Sequence, residues 1–186
     1  MTPAELPEFP APGDVGEILI TSDQIQARVA ELGHQIASDL SGEVPLLVGI
    51  LKGSALFTAD LMRAVTGPVE IDFMAVSSYG DATKSSGIVR IVKDLDAPVA
   101  GRHVILVEDI VDTGLTLRYL LEHLGAQGPA SLRTCALLIR EEQTNREVEV
   151  DYVGFAVPDA FVIGYGLDVA QRYRNLPYIA TYTGPT

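Results

Sequence analysis

The sequence predicts an α/β fold: a mostly parallel twisted sheet with helices packed on both faces. Three observations carry that prediction. Runs such as PLLVGIL (45–51) and HVILV (103–107) are apolar without alternation, as strands buried on both faces must be. Between such runs lie segments with apolar residues at helical spacing, which places crossover helices between parallel strands. Polar residues then gather where the apolar runs end, the edge at which parallel sheets bind ligands.

Taken in order, the opening MTPAELPEFPAPGD is acidic and Pro-rich, without the basic start and apolar core of a secretion signal. Residues 1–17 therefore read as a mobile tail and residues 18–186 as one domain. Thr21 and Gln24 match a capping box, and Ile25, Val29, Leu32, Ile36 and Leu40 follow as the stripe of a first helix. PLLVGIL is a buried strand. Lys52-Gly53-Ser54 then leads into a second helix with Phe57, Leu61 and Val65 on its apolar face. Val69–Val76 and His103–Val107 are further strands, the latter followed by a helix bearing Leu117, Leu120, Leu121 and Leu124. Ser131–Ile139 closes the alternation.

Two segments depart from it. Residues 77–92, SSYGDATKSSGIVRIV, are rich in Gly, Ser and Thr and read either as a mobile flap or as a surface hairpin. Residues 143–186 mix aromatics, Gly and Pro in short strand-like pieces, the pattern of a small hood over the sheet edge.

Composition narrows the function. A chain of 186 residues with 47% hydrophobic content buries a real core. A net charge of −12 excludes nucleic acid or an anionic membrane as the main partner, since both require a basic face. No apolar run approaches the roughly 20 residues of a membrane-spanning helix. The single Cys135 can form no internal disulfide, and His34, His103 and His123 lack zinc-ligand spacing, so a reducing cytoplasm fits.

The chemistry is expected in HVILVEDIVDTGLTL (103–117). Glu108, Asp109 and Asp112 put three acids within five positions after a buried strand. Singly, each acid reads as a solvated strand end or a helix cap. Together with the small residues of Thr113-Gly114-Leu115-Thr116, which turn backbone N–H groups outward at a helix start, they suggest a phosphate cradle beside a diacid. That pairing suits a phosphorylated sugar. The G-x-x-x-x-G-K-[ST] loop, the dinucleotide G-x-G-x-x-G and the G-x-S-x-G elbow are all absent.

VILVEDIVDTGLTL resembles the phosphoribosyl pyrophosphate signature of the phosphoribosyltransferases. LKGSALFTADL, SSYGDATKSSGIVRIVKDLD and FVIGYGLDVAQRYRNLPYI together resemble the hypoxanthine (hypoxanthine-guanine) branch of that family, in order and from about Ile18 to Ile179. The resemblance implies a type I phosphoribosyltransferase-like sheet, and transfer of ribose 5-phosphate from phosphoribosyl pyrophosphate to a 6-oxopurine. Magnesium is the implied cofactor and a homodimer or homotetramer the implied assembly. By the same resemblance, Glu108 and Asp109 address the ribose hydroxyls and, directly or through them, magnesium, Asp168 contacts magnesium, and Asp112 is the general base or proton relay at the purine ring. Asp112, Thr113, Gly114, Leu115, Thr116 and Leu117 cradle the 5-phosphate. Lys52 and Gly53 form the pyrophosphate loop, with a non-proline cis peptide before the lysine. Arg174 is a second pyrophosphate cation, and Ser78-Tyr79 is the tip of a closing flap. Phe161 stacks on the purine, whose edge the Val162 backbone reads.

Two positions depart from the pattern. Arg140 stands where the family has a lysine that donates to the purine 6-oxo group; arginine also donates to a carbonyl. Val169 stands where an aromatic is common. Two other readings stay open. One changes only the acceptor, to xanthine or a pyrimidine. The other is a non-catalytic, nucleotide-sensing regulator, which should carry the basic surface that this charge does not offer.

Overall fold

The structure is a computed structural model that describes residues 13–78, 89–140 and 148–185. The chain runs β1 (Val15–Ile20), α1 (Ser22–Asp39), β2 (Pro45–Leu51), α2 (Ala55–Ala64), β3 (Glu70–Ser78), β4 (Val89–Lys93), β5 (His103–Val111), α3 (Leu115–Gly125), β6 (Ser131–Arg140), β7 (Tyr152–Val157), β8 (Val162–Ile163) and β9 (Ile179–Tyr182). Six strands form the main sheet in the order β4-β3-β2-β5-β6-β7, all parallel except the antiparallel edge strand β4.

The unbroken apolar character of β5 follows from its two covered faces. Val104 and Leu106 face Leu117, Leu120 and Leu124 of α3. Ile105 and Val107 face Ile25, Leu32 and Ile36 of α1 and Phe57 and Leu61 of α2. Each such side chain, fully buried, contributes roughly 1.5–3 kcal/mol. The same period of two sends the next pair of side chains, Glu108 and Asp109, to opposite faces. The strand that makes the core thus also separates the two acids.

Helix α1 starts at the expected capping box: the Thr21 hydroxyl accepts from Gln24 N (3.3 Å), and Gln24 Oε1 accepts from Thr21 N (2.8 Å). It packs closely on α2 because Gly33 lies there; a Cβ at that position would come within 2.5 Å of the Ala64 backbone. Cys135 is fully buried, and burial pushes its thiol pKa up, which makes it an inert core residue.

Two expectations change. The strand β1 begins at Val15, within the expected tail, because a partner for it exists at the far end of the chain: β1, β9 and β8 form a separate antiparallel sheet. Residues 1–12 lie outside the described residues. The hood expected over 143–186 begins only after β7, because Tyr152–Val157 continue the main sheet in parallel beside β6. The arms of the segment 77–92 are strands, with Ser77 opposite Arg90 and Ser78 opposite Val89, while 79–88 lie outside the described residues. Among the described residues no helix is long and apolar enough to cross a membrane.

Candidate active site

Three segments converge beyond the carboxyl ends of β2 and β5. From β2 comes Lys52-Gly53, with the Leu51–Lys52 peptide cis. Gly53 lies against the Asp109 carboxylate so closely that a Cβ there would fall 1.5 Å from Asp109 Oδ2. From the hood comes Gly166, at φ 101°, where a Cβ would fall 2.0 Å from the Gly53 carbonyl oxygen. Only glycine permits this triple approach of loop, acid and hood.

The hood loop is organised by one carboxylate. Asp168 Oδ1 pairs with Arg174 Nη2 at 2.6 Å, and Asp168 Oδ2 accepts from Gln171 N at 2.8 Å. Arg174 Nη1 also donates to the Gly166 carbonyl (2.6 Å), and Lys52 Nζ donates to Gln171 Oε1 (3.2 Å). The loop holds Tyr165, Ala170, Gln171 and Tyr173 at positive φ, each at a cost of about 1–2 kcal/mol for a residue with a side chain. Tyr165 anchors it to α2 by donating to Asp60 Oδ2 at 2.6 Å.

Burial sets the charge of the two acids on β5. It holds the Glu108 carboxyl well above the usual carboxylate range, and the nearby Asp109 adds to the rise. Asp109 is also raised by burial; its hydrogen bond from Ile110 N and the Arg174 guanidinium oppose that, while Asp168 reinforces it. A like-charge neighbour and a raised pKa are what a cation would relieve.

On the other face of β5, Glu108 and the segment from Ile110 to Leu117 line a small cavity of about 120 Å³. Gly114 opens α3 at φ 83° and, as a glycine, caps it with no side chain of its own; in the first turn Leu115 N donates to Thr113 Oγ1 at 3.4 Å. The N–H groups of a helix start and the helix dipole suit an anion. Asp112 and Thr113 are exposed at the mouth of the cavity.

A third patch lies at the end of β6. Arg140 Nη1 donates to the carbonyls of Pro158 (2.7 Å) and Ala160 (2.6 Å), immediately ahead of Phe161 and Val162. Phe161 is 51% exposed, its ring tilted against Tyr182 with centroids 5.9 Å apart, while Val162 is buried in β8. A half-exposed aromatic beside a guanidinium suits a flat polar ring.

The structure therefore brings Lys52, Gly53, Asp109, Asp168 and Arg174 into one cluster, Glu108 with 112–117 into a second, and Arg140 with Phe161 and Val162 into a third. Ser78 ends β3, and Tyr79 lies outside the described residues. Glu108, Asp109 and Asp168 do not close into one metal cage. Among the described residues no three acidic, histidine or cysteine side chains do so, and strand alternation turns Glu108 away. Asp109 and Asp168 fit magnesium as hard-oxygen donors, an ion that commonly takes one or two carboxylates and completes its shell with water and substrate phosphate. Sequence reasoning missed Gln171, Gly166 and the Asp60–Tyr165 anchor. Only the density of Gly and Tyr in GYGLDVAQRY hinted at an unusual backbone.

A family model for the phosphoribosyl transferase domain matches residues 19–170. The chain is 50% identical to a hypoxanthine-guanine phosphoribosyltransferase of Mycobacterium tuberculosis over 187 residues, covering 97% of this chain and 92% of that protein. It is 48% identical to the Bacillus subtilis protein of the same name, covering 89% and 92%. A crystal structure of a hypoxanthine-guanine phosphoribosyltransferase from Bacillus anthracis, with HEPES in its active site, superposes with a TM-score of 0.86 at 44% identity, covering 90% of this chain and 99% of that one.

Proposed function

The chain belongs to the phosphoribosyl transferase family, and from that premise we propose that it is a purine-salvage enzyme which transfers the 5-phosphoribosyl group of phosphoribosyl pyrophosphate to hypoxanthine and guanine, releasing pyrophosphate. The observation that carries this reading is the convergence of Lys52-Gly53, Asp109, Asp168 and Arg174 at one end of β5, the end from which the chain turns into α3. One end suits a pyrophosphate and the other a single phosphate. The span between them, at the end of the strand that carries Glu108 and Asp109, suits a ribose.

Breaking the anomeric carbon–oxygen bond builds positive charge on the ribose. Carboxylates fixed beside it stabilise that charge without reorganising. The first turn of α3 and the residues 112–117 hold the 5-phosphate. Lys52 and Arg174 take the charge that accumulates on the departing pyrophosphate. Magnesium, when bound, neutralises the same leaving group, and Asp109 and Asp168 are the residues that would hold it. Asp112 receives a proton from the purine ring as the new carbon–nitrogen bond forms. Phe161 stacks on the purine, the Val162 backbone reads its edge, and Arg140 stands by the 6-oxo group. Ser78 and Tyr79 belong to a flap that excludes water during transfer. The enzyme works in the cytoplasm as a homodimer or homotetramer.

The test is an assay of the purified protein with magnesium and phosphoribosyl pyrophosphate, run separately with hypoxanthine, guanine, xanthine and adenine. Turnover of the first two is expected. Turnover of xanthine alone would move the acceptor, and nucleotide binding without any turnover would defeat the enzymatic reading.

A further inference from the structure

Lys52 and Arg174 are held in place to very different degrees. Arg174 is fixed by the Gly166 carbonyl, by Asp168 and, more loosely, by Gln171 Oε1 at 3.4 Å. Among the described residues, the ammonium of Lys52 has one hydrogen bond, the 3.2 Å contact to the same Gln171 oxygen. A lysine has four rotatable side-chain bonds, so an unheld ammonium spreads over many positions and must be ordered again each time an anion binds. Gln171 itself is kept still. Its backbone N–H is bound by Asp168, and it sits at φ 67°, a conformation that a glutamine adopts only where its surroundings impose it.

We propose that Gln171 is the positioning residue for Lys52: its amide oxygen, set between two cations where an anionic oxygen would lie, keeps the ammonium aimed into the pyrophosphate end of the site before substrate arrives. The inference rests on the pyrophosphate reading of the Lys52-Gly53 loop. Asp168 thereby orders both cations at once, Arg174 directly and Lys52 through Gln171. When pyrophosphate oxygens arrive, they replace the amide oxygen at both cations, and the lysine is already converged.

The experiment compares wild type, Gln171→Asn, Gln171→Glu, Lys52→Met and the double variant Gln171→Asn/Lys52→Met. Asparagine tolerates a left-handed backbone but is one methylene too short to reach Lys52, so the loop keeps its shape while the hydrogen bond to the ammonium is broken. Expected for Gln171→Asn is a rise of about fivefold in KM for phosphoribosyl pyrophosphate and in Kd for magnesium pyrophosphate, with KM for hypoxanthine unmoved. Gln171→Glu, which restores an acceptor at full length, should recover most of that affinity. In the Lys52→Met background Gln171→Asn should add nothing, because the group it acts through is gone. An additive effect there, or an equal rise in KM for hypoxanthine, would make Gln171 merely structural and overturn the proposal. If Lys52→Met weakens pyrophosphate binding while Gln171→Asn does not, the positioning role alone fails. If Lys52→Met has no effect on pyrophosphate either, the reading of the loop fails with it.

Discussion

The turn after β5 and the loop of the hood against Gly53 both lie at the carboxyl end of the main sheet, yet they are built by opposite means. Residues 112–117 are local: one glycine at positive φ, two threonines and the start of a helix, all within six consecutive positions. The loop 164–174 is assembled. Its left-handed residues include two tyrosines, a glutamine and an alanine, and it is held by Asp60 from α2, by Lys52 from the β2 loop and by its own Asp168. A local device tolerates change elsewhere in the molecule. An assembled one fails when any contributor moves.

Gly53 packs between Asp109 of β5 and Gly166 of the hood loop, and replacing it gives the largest expected effect. Gly53→Ala drives a methyl into the Asp109 carboxylate, and transferase activity should fall by about a hundredfold or more, since even small misplacements of reacting groups are costly. Steady-state kinetics checks this, with circular dichroism confirming that the fold survives. Next comes Asp112→Asn, a change within the local turn. It should lower kcat by roughly a hundredfold, the low end for a general base, with KM for phosphoribosyl pyrophosphate little changed. If KM rose instead, the turn would be serving the phosphate alone.

Arg140→Ala tests the assembled side. Removing both bonds to the Pro158 and Ala160 carbonyls frees the segment that presents Phe161, and KM for hypoxanthine should rise about tenfold while that for phosphoribosyl pyrophosphate stays put. A matching rise for both substrates would show that the hood moves as one piece. The smallest effect concerns stability. Because the Glu108 pKa is raised on folding, the folded chain binds more protons than the unfolded one above the ordinary glutamate range, and stability falls as pH rises through that window. Glu108→Gln should remove this slope and raise Tm by about 2–4 °C at neutral pH, read by thermal melts from pH 4 to 8.

The same contrast decides what was legible in the sequence. The capping box of Thr21 and Gln24, the doubly buried β5 and the acid turn depend on residues within a few positions of one another, and each is found where the pattern put it. The pairing of β1 with β9 depends on a partner at the other end of the chain, so 15–17 read as tail. Residues 152–157 resembled hood because an edge strand carries the same Gly and aromatic content as a small lobe. Gln171 carried no signal, because its importance lies in reaching Lys52, an approach that only the folded chain creates. Glu108 and Asp109 stood out as a pair, and the alternation of β5 turns their side chains to opposite faces.

The pairing of β1 with β9 also orders events on the ribosome. As the chain emerges, the main sheet has all its strands once Val157 is out, and domains made early begin to fold before synthesis ends. β1, synthesised before any of them, must wait for Ile179–Tyr182 before it can pair. On a nascent chain the turn at 112–117 therefore forms early and the hood loop at 164–174 late, and the small sheet closes only when a strand made before the main sheet meets one made after it.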